Sequence, residues 1–170
     1  MLEVGRVGST TDGGHAPVPG WSFNGSKQTV SWNRAHFSAW CVTSAPLVLG
    51  LDLTKLSDEL VEIISNDEAI NINQQWSGYP GTLLRNISND VQIWHKPQPN
   101  STMAVLVINA RNSSVNATFT LAELNMTGPC DVRDVWRHQD IGQATSAVST
   151  EVGPTDSGFL LLTPLTTIRL

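Results

Sequence analysis

The chain has 170 residues and a formal net charge of -5, and only 15% of its residues are charged. This length suits one ordinary domain, or a modest domain with part of another. No basic stripe is present to hold a phosphate backbone, which argues against nucleic acid as a partner. The longest apolar run, residues 45–51, is far shorter than the ~20 residues of a membrane span, so we expect no such span.

Asn-x-Ser/Thr sequons recur along the chain, and five of them fall between residues 86 and 125. Such sequons accept N-linked glycans, so they predict a protein of the secretory pathway, either secreted or lysosomal/vacuolar. Met1 is not followed by a basic start and an apolar core, so the signal peptide would lie upstream of it. The alternative is that these asparagines are only turn residues. The candidate glycosylation sites are Asn24, Asn86, Asn100, Asn112, Asn116 and Asn125.

The chain contains two cysteines, Cys41 and Cys130. Two separate buried thiols that act as small apolar side chains are the favoured interpretation. A disulfide in an oxidising compartment is the alternative, because spacing alone cannot show whether distant cysteines face each other. Neither residue lies in a Cys-x-x-Cys motif or a Cys/His cluster, so we predict no metal site.

The first part of the chain combines a short strand with a long irregular segment. Residues 2–5 predict the strand, and residues 6–27 are rich in Gly, Ser, Thr and Pro. Because connections usually have ~4–6 residues, the second segment predicts a functional loop or an insertion. Trp21 within it could form a platform for a sugar ring, or it could pin the loop to the body of the protein.

Residues 31–44 have the apolar spacing of a helix, with Phe37 on the buried face. Thr29 or Ser31 can cap its start, and Pro46 prevents its continuation. We interpret His36 as a histidine at the margin of the core rather than a ligand or a base.

Residues 47–51 are continuously apolar, which is typical of a strand buried on both faces in a parallel sheet. Helices are predicted over residues 57–65 and from Asn66 onwards, with Ser57 and Asn66 as their N-caps. The predicted elements form a βαβα unit, in the order strand, loop, helix, buried strand and helix.

Gly and Pro are dense over residues 75–81 and mark a boundary, beyond which the hydrophobic period changes from helical to two. Short strands at regular spacing are typical of an antiparallel sandwich. The predicted strands cover residues 83–85, 91–96, 103–109, 117–121, 130–136, 147–152 and 159–163.

Five motifs then stand in the order known from one family: residues 1–5, 34–40, 45–53, 64–74 and 132–138. Together they resemble the C-terminal half of glycoside hydrolase family 27, the family of α-galactosidases and α-N-acetylgalactosaminidases. The resemblance implies an α/β part followed by an all-β part. Residues 1–78 would be the last βαβα part of a (β/α)8 TIM barrel, and residues 79–170 would form an antiparallel β-sandwich. Two strands cannot close such a barrel, so the apolar faces of residues 47–51 would lie open.

The same resemblance implies the chemistry of a retaining α-galactosidase, with an α-galactoside as substrate and no cofactor. One carboxylate attacks the anomeric carbon and a second protonates the leaving oxygen. In the family both are Asp residues on earlier barrel strands, and neither motif is present in this sequence. The missing N-terminal barrel half, in the same or a separate chain, is therefore an implied partner. Met1 matches a family Met that lines the sugar pocket, and it is the one candidate substrate-binding residue.

Apart from the family, the residues form no catalytic set. The acidic residues sit at helix starts, on a solvated face or beside Arg133 in a predicted strand, and Ser, Cys and His show no ordered triad. We therefore expect an enzyme only in the full-length protein and no activity from this chain alone. The alternative function is a non-catalytic, glycosylated β-sandwich module for adhesion or assembly.

Overall fold

The computed structural model describes residues 29–50 and 53–165. In these residues three α-helices come before eight β-strands, and short 3-10 turns occupy Leu53–Lys55 and Pro99–Ser101. The helices are α1 (Val30–Val42), α2 (Asp58–Ile64) and α3 (Asp67–Gln74). The strands are β1 (Thr82–Ser88), β2 (Val91–Pro97), β3 (Met103–Asn109), β4 (Val115–Thr120), β5 (Cys130–Asp134), β6 (Gln139–Ala144), β7 (Ala147–Val152) and β8 (Asp156–Pro164).

Two of the predicted N-caps are confirmed. The Thr29 hydroxyl accepts a hydrogen bond from the backbone N–H of Trp32 at 3.2 Å, and the Asn66 side chain accepts one from Ala69 at 2.9 Å. Each bond satisfies an amide that the first helical turn leaves without a partner. Ser57 stands at the start of α2 but makes no side-chain capping bond.

The strands form an antiparallel sandwich, as predicted. A six-stranded sheet has the order β1-β2-β3-β8-β5-β6, and a two-stranded sheet pairs β4 with β7. Every pair in both sheets is antiparallel. The two sheets enclose an apolar cluster that we call the sandwich core, in which Ile93, Phe119 and Leu160 are almost fully buried.

The helices cover the opposite face of the six-stranded sheet and make a third layer. Phe37 and Ile72 pack there with Phe159 in a second cluster, the helix-side core. The central strand β3 supplies both cores, because its side chains alternate between faces. Val105 lies in the sandwich core and Leu106 in the helix-side core, each with no exposed surface. Burial on both faces explains why β3 is a continuous apolar run.

The prediction of a buried strand over residues 47–51 is wrong for residues 47–50. These residues form no strand, and only Leu49 makes a single β-bridge. Val48 is 56% exposed and Leu49 is 36% exposed. A parallel strand of this kind needs neighbours on both sides, and the described residues place no sheet beside it. Residues 51 and 52, like the predicted strand over residues 2–5 and the segment of residues 6–27 with Trp21, lie outside the described residues.

Strand β6 was not predicted from the sequence. Ile141 is its one large aliphatic residue and is 44% exposed, and the residues of β6 before Ala144 are all exposed. An edge strand without a buried face has no hydrophobic alternation, so the pattern used to find strands fails here. The chain is thus mostly β-structure with a helical layer, and a division at residues 78 and 79 remains a prediction.

Candidate functional site

An open apolar trough lies beside α1 on the helix-bearing face of the six-stranded sheet and has a cavity volume of about 320 Å³. Trp40, Val42 and Thr43 form one wall, while Gln92, Trp94 and Leu106 supply the floor. The Trp94 indole N–H donates to the Gln92 side-chain oxygen at 3.1 Å. That bond fixes the orientation of the ring on the floor of the trough.

The position of α1, and hence of the trough wall, is set by polar contacts to β8 and to the turn after β5. Arg34 donates two hydrogen bonds to the Asp156 carboxylate, at 3.2 and 2.5 Å. The Ser38 hydroxyl lies 3.2 Å from the Ser157 hydroxyl and accepts a bond from the Trp136 indole N–H at 3.1 Å. A bidentate ion pair is directional, so it holds the helix in one position on the sheet.

The asparagines Asn66 and Asn73 connect α3 to its surroundings. The Asn66 amide donates to the backbone oxygen of Val135, at 3.2 Å. The Asn73 amide donates to the backbone oxygens of Trp40 and Ala45 at 3.1 and 3.0 Å, and so ties α3 to α1 and to the chain that follows it. Both asparagines are buried, and these bonds satisfy polar groups that water does not reach.

Three carboxylates of the described residues hold structure together. Glu68 and Asp156 are in ion pairs with Arg133 and Arg34, and Glu123 caps the turn after β4 by accepting from the backbone N–H of Thr120 at 2.7 Å. The lining of the trough includes no acidic side chain. Within residues 29–50 and 53–165, no three His, Cys, Asp or Glu side chains are arranged to hold a metal ion. The trough can therefore hold a molecule with an apolar face, but it offers no pair of carboxylates.

Five of the six candidate glycosylation sites lie in described residues, and all five asparagines are exposed. Asn86 and Asn116 are on the strands β1 and β4. Asn100 and Asn125 have left-handed backbone conformations, with φ of 59° and 55°, which asparagine tolerates better than most residues. Asn112 lies between β3 and β4. Asn24, like Met1, lies outside the described residues.

Both cysteines are buried free thiols, as predicted. Cys41 belongs to the helix-side core and Cys130 to the sandwich core, so the two lie on opposite faces of the large sheet. Burial raises the pKa of Cys41 to about 12 and also raises the pKa of Cys130. His36 is half-buried at the core margin and packs edge-on against Trp40, with ring centroids 6.2 Å apart.

Sequence reasoning did not find the trough. It placed Trp40 on the buried face of α1, and it identified residues 91–96 as a strand, but nothing in the spacing joins the two. The alternation of apolar and polar residues in β2 could have indicated that Gln92 and Trp94 share a face. The contact with α1 depends on the tertiary fold.

The sandwich matches a known domain. The family model described as the α-galactosidase C-terminal beta sandwich domain matches residues 88–162, from the end of β1 into β8. The chain is 34% identical over 138 residues to α-galactosidase 3 of Arabidopsis thaliana. The matched region covers 78% of this chain and 32% of that protein. It is 29% identical over 166 residues to the α-galactosidase of Cyamopsis tetragonoloba, with 96% of this chain and 36% of that protein covered.

A solved structure agrees with the sequence relatives. The crystal structure of α-galactosidase I from Mortierella vinacea superposes with a TM-score of 0.75 at 26% identity, over 81% of this chain and 36% of that one. The chain spans about a third of the length of the curated relatives it matches. By its motifs, its sandwich and these relatives, the chain corresponds to the C-terminal part of the α-galactosidase-like glycoside hydrolases of family 27.

Proposed function

We propose that this chain is the C-terminal part of a retaining α-galactosidase-like glycoside hydrolase, whose full-length form hydrolyses terminal α-galactosyl residues. The match of the α-galactosidase sandwich domain to residues 88–162 carries this proposal. The nucleophile and the acid would be two Asp residues on barrel strands outside this chain, close enough for a glycosyl-enzyme intermediate. This chain alone would then be inactive, and Met1 would be its contact with the sugar.

Exposed apolar side chains support the missing N-terminal barrel half as a partner of residues 29–78. Val48 is 56% exposed and Leu53 is 63% exposed, and Leu49 and Val61 are also open to solvent. Single exposed aliphatic residues are ordinary, but a group of them indicates an interaction surface. In a closed barrel, side chains at these positions would pack against neighbouring strands and helices.

The proposed route is the secretory pathway, with the protein secreted or lysosomal/vacuolar. The exposure of Asn86, Asn100, Asn112, Asn116 and Asn125 supports it, because a folded glycoprotein must accommodate each glycan at the surface. Among the described residues no helix is long and apolar enough to cross a membrane.

The attachment of the helices to the sandwich favours the second candidate, a non-catalytic, glycosylated β-sandwich module for adhesion or assembly. The ion pairs Arg34–Asp156 and Arg133–Glu68 attach the helices to the sandwich. The helical layer shares a buried core with the sheet. Residues 29–165 could therefore fold without a barrel.

A chimera separates the two candidates. This chain would replace the matching C-terminal third of the Arabidopsis α-galactosidase 3, and both the chimera and the isolated chain would be assayed with an aryl α-galactoside. We expect turnover by the chimera and none by the isolated chain. A folded chimera without turnover, or turnover by the chain alone, would contradict the proposed function.

A matched pair of variants tests the docking surface in the same chimera. Val48→Asp places a charge where the barrel half would pack, whereas Ile141→Asp places one on the outer edge of the sandwich. We expect the first to reduce active protein strongly and the second to have little effect. Equal effects would show that Val48 does not face the barrel half.

A further inference from the structure

The floor of the trough lies on β2 and β3, and the strand next to β2 is β1, the edge strand of the large sheet in the described residues. Residues directly opposite each other on antiparallel strands point to the same face. Asn86 is paired with Gln92, and Gln92 is paired with Ile108, another lining residue. Asn86 therefore lies one strand from the trough floor and on the same face of the sheet.

A second row of paired residues runs parallel to this one. Leu83 on β1 is paired with Trp94, which is in turn paired with Leu106 on the floor. Leu83 is 41% exposed. The trough thus has α1 as one wall, and a rim on β1 that carries an apolar side chain and a sequon asparagine.

We propose that Asn86 carries an N-linked glycan whose first N-acetylhexosamine rings lie in this trough, against Trp94 and Trp40. The proposal rests on the sequon and the trough, and not on the proposed glycosidase activity. Neighbouring strands are about 4.8 Å apart, so the first ring, attached to the Asn86 amide, begins at the edge of the floor. The remaining sugars would continue along α1 or out into solvent.

The chemistry of the trough suits a sugar ring. A pyranose ring has an apolar face of C–H groups that packs on an indole, and a polar edge that remains hydrated. The floor offers the Trp94 ring, held by Gln92 at 3.1 Å. A volume of about 320 Å³ is near the lower end of roughly 300–1,000 Å³ for small-molecule sites. A helix, about 10–12 Å across with its side chains, fits this space poorly.

The position of β1 at the edge of the sheet, as the described residues form it, gives the same glycan a second effect. An edge strand presents unpaired backbone groups, and exposed apolar residues make it prone to pair with another chain. Leu83 and Ile87 are 41% and 38% exposed on this strand. A glycan on Asn86, between them in sequence, would cover the edge and keep other strands away.

The experiment uses the whole chain produced in a eukaryotic secretory host. Glycopeptide mass spectrometry gives the occupancy of Asn86, and acrylamide quenching of tryptophan fluorescence reports access to the trough. Two of the six tryptophans line it, so uncovering them should raise quenching clearly and shift the emission to longer wavelength. The samples are the glycosylated protein, the same folded protein after enzymatic deglycosylation, Asn86→Gln, and the control Asn112→Gln.

We expect Asn86 to be occupied, and its glycan to protect the trough. Enzymatic deglycosylation and Asn86→Gln should both raise quenching, whereas Asn112→Gln should leave it unchanged. In protein made in bacteria, Asn86→Gln should have no effect, because no glycan is there to lose. An unoccupied Asn86, unchanged quenching after deglycosylation, or an equal effect of Asn86→Gln in bacterial protein would overturn the proposal. A dimer in size-exclusion chromatography with an unoccupied Asn86 would show that a second copy covers the trough instead.

Discussion

Glu68, at the start of α3, accepts two hydrogen bonds from the Arg133 guanidinium on β5, at 2.6 and 2.8 Å. His138 Nδ1 lies 2.8 Å from the same carboxylate, and Arg133 also donates to Asp140 at 3.0 Å. Hydrogen bonding from Arg133, with a smaller contribution from His138, lowers the pKa of Glu68, although partial burial acts in the opposite direction. The charged pair joins the helical layer to β5, the strand next to the edge strand β6 of the large sheet.

Replacement of Glu68 should therefore weaken the fold in a pH-dependent way. Because the folded-state pKa is lowered, the ionised carboxylate stabilises the protein above its unfolded pKa of ~4.3. This contribution is lost as the pH falls through the folded-state pKa. We expect Glu68→Gln to lower the free energy of unfolding by about 1–2 kcal/mol at pH 7, a modest value because both partners are partly exposed. Urea unfolding at neutral and acidic pH measures this.

The control for this prediction is Glu62→Gln, which changes an exposed carboxylate on α2. We expect the free energy of unfolding of Glu62→Gln to lie close to that of the wild type. A Glu68→Gln deficit that persists unchanged in acid would show that the ion pair is not its cause.

Gly81 marks the point where the chain passes from the helical layer into β1. Its N–H donates to the backbone oxygen of Val42 at 2.9 Å. A Cβ atom on residue 81 would stand 2.8 Å from Val42 Cγ2 and closer still to the Val42 oxygen. Gly81→Ala should therefore force α1 away from β1 and lower the free energy of unfolding by about 1–3 kcal/mol.

Thermal unfolding of Gly81→Ala beside Gly153→Ala tests this close approach. A Cβ atom on residue 153 would have its nearest neighbour at 3.9 Å, so that variant should melt close to the wild type. Equal melting temperatures for the two variants would contradict the steric explanation.

The strands that sequence predicted well are those whose burial follows a simple rule. β3 (Met103–Asn109) and β7 (Ala147–Val152) have the predicted bounds. The residues of β3 are buried on both faces, whereas the residues of β7 alternate between buried and more exposed positions. Residues 47–50 carry an equally apolar run and yet form no strand. Their composition matches a buried strand, but no neighbouring strand is present in the described residues to bury them.

The candidate site was less predictable than the fold, because it depends on pairs that are distant in sequence. Trp40 and Trp94 line the same trough because α1 docks on the sheet, where Arg34 bonds to Asp156 on β8. Asn86 was recognised from its sequon alone. Its position beside the trough follows from the register with Gln92, which a local pattern does not specify.

Asn109 joins two backbone segments, residues 111–113 and 152–153, at one end of the sandwich. Its side-chain amide donates to the oxygens of Ser113, Val152 and Gly153 at 2.9, 3.1 and 2.7 Å, and its oxygen accepts from the Arg111 N–H at 3.0 Å. The residue has no exposed surface. It thus supplies hydrogen-bond donors to one buried and two partly buried backbone oxygens.

Asn109→Asp keeps the shape of this side chain but replaces a donor with a second acceptor. The new oxygen would face the same backbone oxygens, so we expect the free energy of unfolding to fall by about 3 kcal/mol at pH 7. Acid should relieve part of the loss, because a protonated carboxyl can donate again. Urea unfolding should show no such loss for Asn89→Asp, a surface asparagine between β1 and β2. A stability equal to wild type for Asn109→Asp would contradict the donor role of the amide.

Lys96, on β2, is buried and has no exposed surface. Its ammonium group forms hydrogen bonds to backbone oxygens at the end of α3. Nζ donates to the backbone oxygens of Ile72 and Asn73, the second at 3.1 Å. A cation at this place interacts favourably with the helix dipole and supplies donors to carbonyls that the last turn leaves without a partner. Desolvation by burial nevertheless lowers the pKa of Lys96.

Lys96→Met keeps most of the side-chain volume and removes the ammonium. We expect it to lower the free energy of unfolding by about 1–3 kcal/mol at pH 7, because two buried carbonyls lose a donor.

The pH dependence of this difference in stability has a definite sign. The folded-state pKa of Lys96 lies below its unfolded value of ~10.4. At a pH between these two values the unfolded chain binds more protons than the folded protein. The free energy of unfolding of the wild type therefore rises with pH in this range. Cys41 stays protonated over this range, because burial raises its pKa to about 12. The gap between wild type and Lys96→Met, measured by urea unfolding from pH 7 to pH 10, should therefore widen as the pH increases. A gap that stays constant or narrows would mean that the pKa of Lys96 is not lowered in the folded protein.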